Sequence, residues 1–299
     1  MSKLASSLVS ACTSRSDVRA IAAVITFTMS SLVIAADYQA PRGPGGQHPD
    51  LNGIWQAMNE ANYNIERHMA RASVQVVTGP MGPIPAKPVL AMGAAGAVPP
   101  GLGVIEGGGP LPYTEAGRAK QIENQANWSK RDPEVKCYLP GIPRATYIPQ
   151  PFQILQGEDS IFFTYQYAGA VRDIHLTDPG EAPVDSWMGQ SFGWWEGDTL
   201  VIEVTGQLAD TWFDRAGNHH SDKLKVTERY TRVSDHHLLY EATIEDVETY
   251  TKPFTISMPL YRRMEPDMQL MDFKCVEFVE ELIYGDYRRP DAPTRDGNQ

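Results

Sequence analysis

The stretch Leu224–Glu245, LKVTERYTRVSDHHLLYEATIE, carries two runs of period-two alternation on either side of a polar turn. In the first run Leu224, Val226, Glu228 and Tyr230 oppose Lys225, Thr227, Arg229 and Thr231. In the second, Leu238, Tyr240, Ala242 and Ile244 oppose Leu239, Glu241, Thr243 and Glu245. Successive side chains of a strand point to opposite faces, so both runs read as half-buried strands joined through Ser234-Asp235-His236-His237. Glu228 falls in the apolar set. It reads as a rim position whose carboxylate reaches water or a cross-strand Arg.

The same texture extends to both sides. Strands are expected at Phe152–Gln156, Ser160–Tyr167, Val171–Leu176, Gly189–Glu196, Leu200–Val204, Phe254–Leu260 and Met268–Glu277, with tight connections at Gly157-Glu158-Asp159 and Glu196-Gly197-Asp198. With Gly53–Gln56, the count is about 9–10. Sequential strands with short turns describe an antiparallel up-and-down meander. Closure into a barrel removes its exposed edges. A β-sandwich is the alternative.

Ahead of the meander the chain changes character. Residues 1–36 combine a basic flank (Lys3, Arg15, Arg19), an apolar run from Ala20 to Ile34 and a small-residue exit, the pattern of a signal peptide. Residues 37–50 form a Pro/Gly-rich tether, and residues 51–150 hold the first strand, two short helices and an arm packed on the barrel. The helices are expected at 59–73, with Ile65, Met69 and Ala72 at helical spacing, and from a Thr114 cap to about Trp128. Residues 79–112 are too rich in Pro and Gly for regular structure, yet Val89, Leu90, Met92, Val98, Leu102, Val104 and Ile105 are too apolar for a solvated linker. Residues 151–285 form the barrel and 286–299 a disordered tail.

A net charge of −11 argues against nucleic acid or an anionic membrane as partner. No segment after the leader is long and apolar enough to span a bilayer, so the mature chain is expected to be periplasmic or secreted. Export leaves Cys137 and Cys275 in an oxidising compartment, where a bridge across their 138-residue separation would tie the arm to the last strand. Two separate buried thiols are the alternative.

The triplet Gly53-Ile54-Trp55 ahead of a meander resembles the opening strand of lipocalin-like (calycin) barrels, where the Trp closes one end. The runs DPEVKCYLPGIPRATYIPQPF (132–152), WWEGDTLVIEVT (194–205) and WFDRAGNHHSDKLKVTERY (212–230), with YAGAVRDIH, GAVPPGLGVIE and KCVEFVEELIYG, resemble an uncharacterised family of exported bacterial proteins. That resemblance implies one fold over most of the mature chain and export. It carries no chemistry.

Chemistry is sought first in Gly206–Lys223, GQLADTWFDRAGNHHSDK, which is far longer than its neighbouring turns. His220 is the candidate general acid or base, Asp214 its orienter, and Arg144 or Arg172 the stabiliser of a developing anion. No G-x-S-x-G, H-E-x-x-H, P-loop or dinucleotide fingerprint is present. No cofactor or metal is called for, although His175 and His220 with a carboxylate are the residues a metal would use. His236 and His237 lie in a turn and read as solvated. Trp212, Tyr165, Tyr167, Trp195 and Tyr230 are candidate contacts for a small apolar or aromatic molecule in the barrel. Three functions follow: cofactor-free acid/base catalysis (a lyase, isomerase or hydrolase), a non-catalytic carrier, or a glycan-binding module. Oligomeric state is not legible.

Overall fold

The alternation of 224–245 is realised as a hairpin in register, with Tyr230 opposite Tyr240, Glu228 opposite Ala242 and Val226 opposite Ile244. The computed structural model describes residues 38–70, 78–79, 82–83 and 98–279. Nine strands make one antiparallel sheet: β1 (Gly53–Ala57), β2 (Phe152–Gln156), β3 (Ile161–Tyr165), β4 (Val171–Ile174), β5 (Gln190–Glu196), β6 (Thr199–Thr205), β7 (Lys225–Arg232), β8 (His237–Glu245) and β9 (Phe254–Arg262). Neighbours in sequence pair throughout except β4 with β5, and β1 also pairs with β9. Only β4 and β5 remain to close the ring. Nine is odd, so alternating directions leave those two strands parallel. They meet through one short parallel bridge, His175 to Phe192, with Gly193 N–H donating to His175 O at 2.8 Å. Gly193 permits the approach, because a Cβ there would lie 2.5 Å from Ile174 Cγ2. The result is a nearly closed up-and-down barrel with a seam.

Two expected elements are absent. Residues 59–70 form turns and no helix. Asn59 Oδ1 accepts from Ala61 N and Asn64 Oδ1 from Glu66 N, local bonds that compete with a helical ladder, while Ile65 N is taken by Asp214 Oδ2. Met268–Glu277 is not a strand either. Both sides of β9 are already occupied by β8 and β1, so the chain leaves the sheet after Arg262. It runs outside the barrel, held by Met271 N–H to Gln166 Oε1 and Phe278 N–H to Val135 O. The Thr114 cap is present, its Oγ1 accepting from Gly117 N at the start of α1 (Glu115–Ala126). One-turn helices α2 (Trp128–Arg131) and α3 (Arg144–Tyr147) follow.

The inward residues of the strands form the core, from Trp55, Phe152 and Phe163 round to Ile202, Tyr230, Tyr240 and Leu260. Burial of these side chains contributes roughly 1.5–3 kcal/mol each. One end is closed by the tether: His48 stacks on Trp195 at 4.4 Å, and Arg42 pairs with Asp198 at 2.6 Å. At the other end α3 and the 206–223 loop close over the core, with Tyr147 Oη donating to Phe213 O at 2.8 Å. From Val98 the arm runs beside β9, where Glu106 N–H donates to Thr255 O and Ser257 N–H to Val104 O; Leu102, by contrast, is exposed. Val89, Leu90 and Met92, the leader and the tail lie outside the described residues.

Candidate functional site

Glu228 is not at the rim. Its inward position on β7 places it fully inside the barrel, and it reaches an Arg on the far side of the ring rather than on a neighbouring strand. That Arg is Arg172 of β4, where Val171 points to solvent and Arg172 shares the inward face with Ile174. Arg172 Nη2 donates to Glu228 Oε2, and Arg172 Nε donates to Ser191 Oγ at 2.6 Å. Glu228 Oε1 accepts from Tyr230 Oη at 2.9 Å and Tyr240 Oη at 2.8 Å. Thr146 of α3 shares a hydrogen bond with Tyr230 at 3.3 Å. The guanidinium lies over the Phe163 ring at 5.7 Å.

Burial opposes the charge on Arg172, but Glu228, Tyr165 and Tyr230 outweigh it and hold the guanidinium above its ordinary range. Burial pushes the Tyr165 hydroxyl up to about 12, and drives Tyr230 and Tyr240 well above the usual phenol range. All three tyrosines are therefore neutral donors at ordinary pH. Arg172 Nη1 and Tyr165 Oη make no hydrogen bond of regular geometry among the described residues, although the Tyr165 hydroxyl faces Arg172 and Thr146.

The cluster adjoins the seam. A groove of about 500 Å³ is lined by Arg172, Ser191 and His175, with apolar walls from Pro179, Pro183 and Met188. Arg172 and Ser191 thus belong both to the interior cluster and to the groove.

Of the residues singled out in the sequence, Arg172, Tyr165 and Tyr230 come together here. The others do not. His220 is buried with both ring nitrogens engaged, Nε2 with Thr211 Oγ1 at 2.6 Å and Nδ1 with Ser221 O at 2.7 Å. Burial pushes its imidazole down to about 4. Asp214 shares no hydrogen bond with it: the carboxylate accepts from the backbone N–H groups of Ile65, Ala216 and Asn218 and from Asn218 Nδ2. Arg144 is tied to Asp132, Glu134 and Asn62, and Arg215 shares Glu134. Trp212 is buried in the loop, Trp195 sits at the tether end, and Tyr167 packs outside the barrel against Phe273 at 4.8 Å. Tyr240, Ser191 and Thr146 were not among the expected site residues. The one signal pointing to the cluster was an acidic residue on an apolar strand face.

Among the described residues no group of three or more His, Cys, Asp or Glu side chains gathers to hold a metal, and no helix is long and apolar enough to cross a membrane. Cys137 and Cys275 form a disulfide with Cα atoms 5.8 Å apart, a pairing compatible with an oxidising compartment. Comparison with family models, curated proteins and solved structures finds no match for this chain.

Proposed function

We propose that this protein is an exported, lipocalin-like barrel that binds one small apolar or aromatic molecule, with the Arg172–Glu228–tyrosine cluster as its polar anchor and the β4–β5 seam as its entrance. The observation that carries this reading is that Arg172 and Ser191, hydrogen-bonded to each other in the buried polar cluster, also line a groove with apolar walls at the seam. Ligand sites are commonly apolar with a few converging polar groups, and this corner of the molecule has that composition. Acid/base catalysis through His220 is less well supported, because such a group needs a free ring nitrogen and both are engaged. Export rests on the leader-like residues 1–36 and on the disulfide.

The test is titration with N-phenyl-1-naphthylamine, an uncharged aromatic fluorophore that brightens in apolar surroundings. One saturable site per chain, counted by native mass spectrometry, is the expected result. Linear partitioning without saturation, or no response, would refute the reading.

A further inference from the structure

After Arg262 the chain leaves the sheet and adds no further residue to the core. Among residues 264–279 none is buried: Met268, Leu270, Phe273 and Phe278 are half-buried and the others are exposed. Beyond the Arg263–Glu265 pair at its root, this strap meets the rest of the described protein through few contacts. Met271 N–H donates to Gln166 Oε1 at 3.1 Å and Phe278 N–H to Val135 O at 2.7 Å. The Phe273 ring rests 4.8 Å from Tyr167, and Cys275 is bonded to Cys137. Cavities flank the strap. One, of about 220 Å³, is lined by its Val276 and Phe278 and by Trp128 and Val135 of the body. The other, of about 540 Å³, is lined by its Leu270 and Met271 and by Thr164 and Ala170. Phe273 and Cys275 line both. A segment with so few buried apolar contacts is low in local stability, so the disulfide is its principal hold.

The two ends of the bridge differ. Cys137 follows the 3-10 turn Pro133–Lys136, where its N–H donates to Glu134 O at 3.1 Å, and the Glu134 carboxylate is held by Arg144 and Arg215. Cys275 sits in the exposed run 274–277. We propose that the disulfide is a reversible latch: a dithiol partner, by reducing it, releases residues 264–279 and uncovers the aromatic face of Tyr167. The partner's thiolate attacks Cys275 Sγ and the S–S bond breaks, with Cys137 leaving as a thiolate that takes up a proton. The partner's second thiol then displaces Cys275 from the mixed disulfide. The protein gains two electrons and two protons, and the partner is left as a disulfide. A bridge between two core strands would be a staple. This one joins a fixed turn to a segment outside the sheet, so its loss leaves all nine strands paired.

Hydroxyl-radical footprinting read by mass spectrometry tests the latch. The folded protein is reduced with dithiothreitol, and its thiols are capped with iodoacetamide. Both Cys137 and Cys275 should be capped while the near-UV circular dichroism of the barrel is retained. Oxidation of Tyr167, 2% exposed in the bridged protein, should then rise at least about threefold, and that of Tyr230, inside the barrel, should stay the same. The double variant Cys137→Ser, Cys275→Ser carries no cap and should behave alike. Reoxidation of the uncapped protein with oxidised glutathione should return Tyr167 to its protected level. A bridge that resists millimolar dithiothreitol in the folded protein, or a reduced protein with Tyr167 still protected, would overturn the latch. So would a rise at Tyr230 matching that at Tyr167, which would mark the disulfide as a staple of the whole fold.

Discussion

Replacing Glu228 by Gln tests whether the interior ion pair organises the barrel. The amide keeps an oxygen for Tyr230 and Tyr240, at 2.9 and 2.8 Å in the native protein, but turns an N–H group toward Arg172 Nη2. Arg172 then retains Ser191 as its one hydrogen-bonded partner, with Nη1 already open, so a full positive charge is stranded in the core. Breaking one half of a buried pair costs about 3–5 kcal/mol. At roughly 2–4 °C per kcal/mol for a domain of this size, that is a drop of about 6–20 °C in Tm. Arg172→Met should cost a similar amount, by stranding Glu228. The double variant removes both charges and should cost no more than the worse single variant, a coupling of at least about 3 kcal/mol. Urea unfolding followed by tryptophan fluorescence, with the disulfide intact, measures all three. Single variants costing under about 1 kcal/mol, or a double variant equal to the sum of the singles, would refute the pair as an organising contact.

Three further outcomes follow from the packing. His220 is pushed down to about 4, chiefly by burial, so its contribution is present above about pH 6.5 and is lost as pH falls through 4. Asp214 is pushed up to about 7, chiefly by burial, so its contribution is present below about pH 3.9 and is lost as pH rises through 7. The two offset each other in the native protein, and His220→Gln should unmask Asp214, with stability rising about 1.4 kcal/mol per unit as pH falls from 6.5 to 4; unfolding curves parallel to wild type would count against it. Reduction of Cys137–Cys275, which closes a 138-residue separation, should cost about 2–5 kcal/mol in urea titrations with and without reductant. Gly217→Ala meets a left-handed backbone, φ +83°, and places its Cβ 2.8 Å from Asn124 Cβ; a loss of about 1–3 kcal/mol by thermal melting is expected, and a neutral result would contradict the packing of α1 on the loop.

What was legible in the sequence follows a physical line. Alternation is a local signal, and eight of the expected strands are present in the sheet together with Gly53–Ala57. Met268–Glu277 alternates too, but a strand needs a free edge, and the ring had none beside β9. At 59–70 the spacing of Ile65 and Met69 suggested a helix, while the side chains of Asn59 and Asn64 supplied bonds to the backbone that periodicity does not weigh. The site was half visible. Glu228 stood out on an apolar face, though it read as a rim position, and the inward phase of Arg172 with Ile174 was not read. Their partnership spans the barrel between strands that do not pair, so only closure reveals it. The 206–223 loop stood out for its length and its titratable groups. Its Asp214, Asn218 and His220 are nonetheless absorbed by local hydrogen bonds that fix the loop over the barrel end.

The central claim is that a small molecule sits against the interior cluster, and ring-labelled tyrosine NMR tests it at residue level. On titration with N-phenyl-1-naphthylamine, saturable shifts should appear at Tyr165 and Tyr230, and also at Tyr240, whose ring lies 4.9 Å from that of Tyr230. The exposed Tyr38, Tyr138 and Tyr261 should stay unmoved. Shifts confined to those exposed tyrosines, or none at all up to the solubility limit, would contradict the account.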